Sequence, residues 1–599
     1  MAPAAFAAAA VGTAAAAVAF TWFRLFVGMD LQSESFYVLI PWRWALGDRP
    51  FVDEPSLVQI PGLLTYPLVK LFGIVRHYDV TGLVLYMRHW YLIMMIGVAL
   101  AVFLLLRRLV RWELALPVSS LFVTFLFFAT PQLSYNSMGM AFLTLGATMG
   151  AWVVVLGKGR GYALAAGVAF ALAVAAYSSL LFIAPFVAVF FVFAQGRRAV
   201  GTVAERAFRD PPDPEGPPTG RAAWRSLSAW VAGVVLVLVP FGLLLLSFGA
   251  GNLRHAYHFT VAIAHGANQL GGAAKTVQVS EEFWHFLASR PYVIVAALLI
   301  YLVYRRWPRA GRALLALLPV GLWLAAQRPM LGASGYVVVF ALLAPYLYLF
   351  VPARRRDDGA RLLIWVWPTA MLAGAMTAYT SASGYANAAV GFASAVMISG
   401  LFLAWSLEAA TDPDEPRSAE RPRTPWLALA VLVAIVALTI SFQFRFQEVQ
   451  MPYGQLTSRF SSGPWWGIKV TPERRRLMDG FGADLKAQGR PDDRLLVIYD
   501  ASGYYLYWNG RLATGMYWIS GDEKTGRLDP TTINYYRVHH VVPTLVVHLM
   551  KTKGMTASQL AAGSGGLDYP PTLVRPDYVF QRKPAGETTE QVLRRLSTP

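Results

Sequence analysis

Residues 29–73, MDLQSESFYVLIPWRWALGDRPFVDEPSLVQIPGLLTYPLVKLFG, decide how the rest of the chain is interpreted. They follow a first apolar segment and contain five carboxylates, namely Asp30, Glu34, Asp48, Asp53 and Glu54. Only 14% of the chain is charged, and ionised groups close to hydrocarbon are costly enough to be kept mainly for function. Two interpretations follow: a solvated loop between membrane spans, or a loop that holds a reaction site.

The composition predicts a membrane protein. The 599 residues are 56% hydrophobic, and apolar runs long enough to cross a bilayer recur along the chain. The N-terminal apolar run has no basic residues before it, which favours an uncleaved first span over a signal peptide. We expect a polytopic α-helical protein of an inner or plasma membrane with about thirteen spans, near 5–28, 88–106, 113–131, 138–156, 161–177, 179–195, 228–249, 291–304, 313–327, 334–351, 362–380, 387–408 and 425–444.

The basic residues predict the orientation. If the N-terminus is cytoplasmic, the cytoplasmic loops carry 22 Lys and Arg; these loops are 107–111, 157–161, 196–225, 305–312, 353–361 and 409–424. The opposite loops, which include 29–87 and 250–290, carry fewer than half as many, as the positive-inside rule requires. The first loop and the C-terminal tail are therefore expected outside. Because the net charge of +18 comes largely from these loops, we reject nucleic acid as a partner.

The tail has a different character. Residues 445–599 contain short apolar runs separated by Gly and Asp, and predicted helices at 471–488 and near 531–553, so we expect an extracytoplasmic α/β domain after a membrane domain at 1–444. Its aromatic residues, from Trp465 to Trp518, are interpreted either as core and interfacial belt or as a sugar platform. The chain has no cysteine, which excludes disulfides, thiolate metal sites and a Cys nucleophile.

The order of features in residues 29–73 resembles the first external loop of the GT-C glycosyltransferases. An acid at the end of the first span is followed by an aromatic-rich helix, by G-D-x-P-[FY]-x-D-x-P at 47–55, and by an amphipathic segment with Pro and Gly. These polytopic enzymes include the lipid A aminoarabinose transferases and the protein O-mannosyltransferases. The resemblance implies a GT-C-like fold and transfer of a sugar from a polyprenyl-phosphate donor to an extracytoplasmic lipid, glycan or protein.

The resemblance also implies the catalytic residues. The family places its catalytic acid at the end of the first span, which assigns the base to Asp30, with Glu34 one helical turn further on. Asp53 and Glu54 are the other candidate carboxylates. The aminoarabinose transferases have a second acid where this chain has Leu31, and Glu-Lys-Pro where it has residues 53–55, so the donor and acceptor are not carried over.

Cations are needed where a phosphate departs. Arg88 and His89 begin the second span at the depth expected for Asp30, Lys70 lies near the end of the first loop, and Arg328 lies in a short external turn. These four residues are the candidate donor-phosphate ligands. For Lys70 and Arg88 the alternative is that the long side chain reaches to lipid headgroups.

Other polar residues on the same side are candidates for contact with the acceptor or the sugar. Tyr135 and Asn136 lie in an external turn, and His255 and His258 lie in the 250–290 loop. A self-satisfied turn is the alternative for the first pair. For the histidines it is one face of a surface helix, or a metal site. We expect no metal and no cofactor beyond the lipid-linked sugar.

Two other functional classes remain open. A transporter or lipid flippase also needs many spans, although these spans contain little charge and show no internal repeat, unlike many transporters. An O-antigen ligase or polysaccharide polymerase also uses polyprenyl-linked sugars, and such enzymes rely on Arg and His in a large late loop. The His-containing 250–290 loop keeps that alternative open.

Overall fold

The structure is a computed structural model that describes residues 2–126, 130–206, 220–266, 272–289, 291–321, 332–381, 384–408, 426–442, 452–498, 502–517, 528, 530–549 and 567–596. In this part of the chain, seven helices are long and apolar enough to cross a membrane: Ala4–Leu25, Leu83–Leu106, Tyr135–Val154, Ser178–Gly196, Ala222–Ser247, Ala353–Tyr379 and Ala389–Glu408. Shorter apolar helices accompany them at Gly62–Val75, Trp112–Thr124, Arg160–Ala176 and Trp426–Ser441. The protein is a polytopic helical membrane protein.

The membrane part and its loops contain eighteen helices among the described residues. They are α1 (Ala2–Leu25), α2 (Ser33–Leu46), α3 (Gly62–Val75), α4 (Leu83–Leu106), α5 (Trp112–Thr124), α6 (Tyr135–Val154), α7 (Arg160–Ala176), α8 (Ala184–Arg206), α9 (Gly220–Ser247), α10 (Ala250–Gly266), α11 (Gly272–Ala288), α12 (Pro291–Arg306), α13 (Pro308–Leu314), α14 (Gly332–Leu342), α15 (Ala344–Tyr348), α16 (Arg356–Tyr379), α17 (Ala389–Glu408) and α18 (Trp426–Phe442). Helices α2, α3, α10 and α11 occupy the two long loops that the sequence places outside.

Small residues let the membrane helices approach closely. A Cβ atom on Gly167 of α7 would lie 2.0 Å from the carbonyl oxygen of Trp230 on α9, and one on Gly233 would lie 2.2 Å from that of Leu164. Lipid provides no hydrophobic drive between helices, so close backbone packing of this kind is a main source of their association.

The tail forms a five-stranded mixed sheet. It follows a two-stranded hairpin, and its helices are α19 (Pro472–Gln488), α20 (Ser502–Tyr505), α21 (Pro530–His539) and α22 (Thr589–Arg595). The hairpin is β1 (Ser458–Arg459) and β2 (Lys469–Val470); the sheet strands are β3 (Arg494–Ile498), β4 (Arg511–Leu512), β5 (Leu545–Leu549), β6 (Pro571–Val574) and β7 (Tyr578–Arg582). Their order is β4-β3-β5-β7-β6, with β3 parallel to β4 and β5, and β7 antiparallel to β5 and β6.

Alternate side chains of β3 pack into the hydrophobic clusters on the two faces of this sheet. Leu495 and Val497 join the hydrophobic cluster that contains Phe481 of α19, whereas Leu496 and Ile498 join the cluster that contains Tyr536 of α21. Successive side chains of a strand point to opposite faces, so a strand that is covered on both faces reads as a continuous apolar run.

Two predictions for the tail have different outcomes. The helix at 471–488 is confirmed: Oγ1 of Thr471 accepts a hydrogen bond from the backbone N–H of Arg474 at 3.2 Å, and Pro472 is the first helical residue. The helix near 531–553 is wrong, because α21 ends at His539 and residues 545–549 form the central strand β5. Pro543 disfavours helix at the residue before it, and the β-branched residues that follow favour a strand.

The aromatic residues of the tail are largely buried. Trp465, Tyr505 and Tyr517 are at most 2% exposed, so these three side chains form core rather than an open platform. Trp518 lies outside the described residues.

Candidate active site at the end of the first helix

The tail holds the segment between α1 and α2 from both sides. The backbone N–H of Gly28 donates to the carbonyl of Lys469 (2.9 Å), and the N–H of Lys469 donates to the carbonyl of Phe26 (2.7 Å). Further on, the N–H of Gly503 donates to the carbonyl of Leu31 (2.9 Å). Gly28 has φ of 73°, a conformation that favours glycine. Asp30 therefore lies on a turn whose two ends are fixed by the tail.

Asp30 has one engaged and one unengaged carboxylate oxygen. Oδ1 accepts hydrogen bonds from the backbone N–H groups of Gln32 (2.9 Å) and Ser33 (3.2 Å). Oδ2 is buried and accepts no hydrogen bond from any described residue. Burial raises the pKa of Asp30, opposed by the nearby backbone N–H groups and by the charge of Arg88. A carboxylate with a raised pKa and a free oxygen is suited to accept a proton.

Glu34 and Arg88 form a buried ion pair beside it. Nε of Arg88 donates to Oε1 of Glu34 (2.6 Å) and Nη2 to Oε2 (2.7 Å), and both residues are 1% exposed. The carbonyl oxygens of Leu25 and Gly28 accept further hydrogen bonds from Nη1 and Nη2 at 2.7 Å each. In this structure Arg88 faces Glu34, and both oxygens of Glu34 are engaged by Arg88. The roles expected for Arg88 as a phosphate ligand and for Glu34 as a catalytic acid stay predictions.

The two acids of the second half of the loop lie in different environments. Asp53 is partly exposed; its Oδ1 accepts from Nη2 of Arg49 (3.2 Å) and its Oδ2 from the Arg49 backbone N–H (2.6 Å). Glu54 is 2% exposed, and its oxygens accept no hydrogen bond from the described residues. Burial raises the pKa of Glu54 to about 8, opposed by the nearby Tyr517 backbone and reinforced by Asp48. Glu54 is thus mostly protonated at neutral pH, whereas the carboxylate of Asp30 is stabilised by two backbone N–H groups and by the charge of Arg88, which makes Asp30 the stronger candidate base there.

Of the other candidate phosphate ligands, Lys70 and His89 are among the described residues. Nζ of Lys70 donates to the hydroxyl of Tyr78 (2.8 Å) and to the carbonyl of Ala45 (3.3 Å). Nδ1 of His89 lies 2.7 Å from the carbonyl oxygen of Leu85, so in a neutral ring Nδ1 carries the proton and Nε2 is an acceptor. Arg328 lies outside the described residues.

Tyr135 packs against Tyr37, a residue that the sequence did not single out. The Tyr135 ring lies 5.4 Å from that of Tyr37 and 5.0 Å from that of Tyr177, measured between centroids. Burial raises the pKa of Tyr37, and the nearby Tyr135 and Asp30 raise it further. Asn136 is 3% exposed, and its Oδ1 accepts no hydrogen bond from a described residue. The structure thus brings Tyr37 and Tyr135 together, and Asn136 adjoins Tyr135 in sequence.

The two histidine candidates lie on α10. The His255 ring is 6.0 Å from that of His539 in the tail, and His258 is exposed beside Tyr257. Helix α10 also contacts the first loop, since Oγ1 of Thr260 accepts from the backbone N–H of Leu57 at 2.8 Å. His255 therefore adjoins the tail rather than Asp30. Among the described residues, no group of three His, Asp or Glu is arranged to hold a metal ion.

Among known proteins, the chain shows similarity to solved structures but not to a protein-family model or a curated protein sequence. No protein-family model matches the chain, and no curated protein matches it. The chain is similar to the archaeal oligosaccharyltransferase AglB from Archaeoglobus fulgidus, in complex with an inhibitory peptide and a dolichol-phosphate, at 12% identity over 96% of this chain and 74% of that one, with a TM-score of 0.47.

The chain is also similar to ArnT from Cupriavidus metallidurans. The apo form gives 14% identity over 95% of this chain and 97% of that one, with a TM-score of 0.40. The form bound to undecaprenyl phosphate gives 14% identity over 96% and 98%, with a TM-score of 0.38. AglB and ArnT are GT-C fold membrane glycosyltransferases, the class that residues 29–73 resemble.

Proposed function

We propose that this chain is a GT-C-type membrane glycosyltransferase that moves a sugar from a polyprenyl-phosphate donor to an extracytoplasmic acceptor, with Asp30 as the base. One observation carries the proposal: Oδ2 of Asp30 is buried and unengaged by the described residues, at the end of the first membrane helix. Of the other candidate acids, Glu34 is bound by Arg88, Asp53 by Arg49, and Glu54 has a pKa of about 8.

The reaction is a direct displacement at the anomeric carbon. An acceptor hydroxyl attacks that carbon while its proton passes to Asp30, and the bond from carbon to phosphate oxygen breaks with its electron pair on the phosphate. The products are the glycosylated acceptor and polyprenyl phosphate. Lys70, His89 and Arg328 are the proposed ligands of the departing phosphate, whereas Arg88 acts by positioning Glu34 and the end of α1. Tyr135 and Asn136 are proposed to contact sugar hydroxyls.

We also propose the topology that this reaction needs. The N-terminus is cytoplasmic, residues 1–444 carry thirteen spans, and the first loop at 29–87 lies outside together with the tail domain at 445–599. The 22 basic residues of the cytoplasmic loops support this orientation. The backbone pairing of Lys469 with the segment 26–28 also supports it, because the tail must then share a membrane face with the end of α1.

A reconstituted assay tests the proposal. The chain is placed in liposomes with a purified polyprenyl-phosphate hexose and a cell-envelope extract as the source of acceptor, and released polyprenyl phosphate is measured. Asp30→Asn keeps the volume but cannot accept the proton, so turnover should fall about 100-fold or more while donor binding changes little. Asp79→Asn, an exposed loop acid paired with Arg76, is the matched control and should keep its turnover.

Three results would contradict the proposal. The first is near-normal turnover in Asp30→Asn. The second is sugar transfer from a nucleotide sugar in liposomes free of polyprenyl lipid. The third is movement of the donor across the bilayer without sugar transfer, which would favour a transporter.

A further inference from the structure

A polar cavity of about 320 Å³ lies between the first loop and one edge of the tail sheet. Asp48 and Asp53 of the loop line it, and Arg494, Arg511, Tyr535 and His539 line it from the tail. Asp30 is not among the lining residues. Its volume falls in the range of small-ligand sites, roughly 300 Å³ and above.

Two arginines stand side by side in its wall. Arg494 and Arg511 are register partners on the parallel strands β3 and β4, and neighbouring strands lie only about 4.8 Å apart. Neither guanidinium forms an ion pair or hydrogen bond with a described residue. Like charges directly opposite each other on neighbouring strands repel. An anion bound between the two guanidinium groups would remove that repulsion.

The carboxylates of the cavity are already engaged by other groups. Asp48 accepts from Nε and Nη2 of Arg43 at 2.8 and 2.9 Å, and its Oδ2 also accepts from the hydroxyl of Tyr517 at 3.0 Å. Asp53 is bound by Arg49. Neither acid therefore neutralises Arg494 or Arg511, although all four residues line the same cavity.

Neutral polar groups complete the wall. The His539 ring lies 4.5 Å from the Tyr535 ring, measured between centroids, with the two planes tilted by 37°, and its buried Nε2 has no hydrogen-bond partner among the described residues. The hydroxyl of Tyr535 donates to the carbonyl of Asp53 at 3.1 Å, which ties the tail wall to the loop wall. Aromatic faces and polar groups with spare capacity are typical of sites that bind sugar hydroxyls and rings.

We propose that this cavity binds a saccharide that carries a phosphate or a carboxylate, with the anion held by Arg494 and Arg511. Paired guanidinium groups match both anions through bidentate hydrogen bonds. His539 and Tyr535 contact the sugar. Resting on the function proposed above, we assign this saccharide to a part of the acceptor other than its reacting hydroxyl, because the site is built from the external loop and tail and includes neither Asp30 nor the residues proposed for the donor.

Direct binding tests the site without any transfer reaction. The full chain in detergent is titrated calorimetrically with glucose 6-phosphate, glucuronate, glucose and inorganic phosphate. We expect one of the two anionic sugars to bind more tightly than both glucose and inorganic phosphate. Tighter binding of glucose 6-phosphate would identify the natural anion as a phosphate, and tighter binding of glucuronate would identify it as a carboxylate.

Arginine variants assign the binding to the cavity. The double change Arg494→Gln with Arg511→Gln should weaken binding of the anionic sugar by about tenfold or more, since charged hydrogen bonds are lost. The double change Arg494→Lys with Arg511→Lys keeps both positive charges but removes the bidentate geometry of the guanidinium groups. Its affinity for the anionic sugar should lie between those of the wild type and the double glutamine variant. Arg459→Gln, an exposed arginine on β1 outside the cavity, should bind as the wild type does. Thermal unfolding checks that each variant is folded.

Several outcomes would overturn the inference: no binding of either anionic sugar, equal binding of glucose, equal binding of inorganic phosphate, or unchanged affinity in the folded double glutamine variant. Failure here is distinguishable from failure of the proposed function. A chain that transfers sugar but binds neither anionic sugar refutes this site alone, and a chain that binds them but transfers nothing refutes the transferase alone.

Discussion

Arg88 holds Glu34 through two parallel hydrogen bonds, Nε to Oε1 at 2.6 Å and Nη2 to Oε2 at 2.7 Å. The same guanidinium donates to the carbonyls of Leu25 and Gly28 at the C-terminal end of α1. One side chain of α4 therefore joins α1 and α2 on either side of Asp30. Burying such a pair gains little net stability, but removing one partner leaves an uncompensated buried charge.

Glu34→Gln should therefore destabilise the protein strongly. The change leaves the Arg88 charge buried without its counterion, and the expected cost is about 3 to 5 kcal/mol in the free energy of unfolding. Thermal or denaturant unfolding in detergent measures it. Asp79→Asn breaks an exposed pair and should cost less than about 1 kcal/mol. Adding Arg88→Met to Glu34→Gln should recover much of the loss; equal melting temperatures for Glu34→Gln and Asp79→Asn would show that the pair is not buried.

Glu54 should make the stability depend on pH. Its pKa is about 8 in the folded protein and near 4.5 when unfolded, so between these values the folded state keeps a proton that the unfolded state releases. The free energy of unfolding should fall as pH rises from about 5 to 8, by up to about 5 kcal/mol. Above about pH 8 this contribution no longer changes.

Comparison of two variants isolates that contribution. Glu54→Gln removes the titrating group, so the free energy of unfolding of this variant should depend much less on pH across this range. Glu473→Gln, an exposed acid in the first turn of α19, should retain the wild-type slope. An unchanged slope in Glu54→Gln would mean that Glu54 is ionised in the folded protein.

Gly503→Ala should disturb Asp30 from a distance. A Cβ atom at Gly503 would lie 2.4 Å from Cδ2 of Leu31, 2.8 Å from Oγ of Ser35 and 3.2 Å from Cα of Leu31, so the turn that carries Asp30 must shift. Small misplacements of a catalytic group lower the rate sharply, and we expect turnover to fall about 10- to 100-fold. Donor KM should change little in the same liposome assay.

Gly480→Ala provides the comparison for this prediction. Its Cβ would meet nothing closer than the Tyr578 hydroxyl at 3.6 Å, an ordinary contact. Turnover in Gly480→Ala should stay near the wild-type value. If both alanine variants retain the same turnover, the contact between α20 and the Asp30 turn does not position the acid.

Cysteine labelling can test the topology, because the chain has no cysteine of its own and each introduced thiol is therefore unique. Ser462→Cys in the tail and Lys158→Cys between α6 and α7 place single thiols at exposed positions. An impermeant maleimide added to intact cells should label the cysteine at 462 and leave the one at 158 unlabelled until the membrane is opened. The reverse pattern would place Asp30 and the tail on the cytoplasmic side and would contradict the proposed extracytoplasmic transfer.

Features that depend on short stretches of chain could be predicted from the sequence. Apolar runs identify a helical membrane protein because a single helix must satisfy its own backbone in lipid. The start of α19 was predictable because a Thr cap and a first-turn Pro act within four residues. The helix predicted near 531–553 failed beyond His539, where Pro543 and the β-branched residues after it favour a strand, which pairs with β3 and β7.

The roles of the individual charged residues were decided by the tertiary structure. Arg88 and Glu34 are 54 residues apart in sequence, and nothing local shows that each neutralises the other. Gly28 meets Lys469, and Arg494 stands beside Arg511, only because strands and loops distant in the chain pair through their backbones. Sequence by itself determined the class of the protein and the acid at the end of its first helix. Which charges are paired and which are free depends on burial and on partners far along the chain, and only the folded structure supplies both.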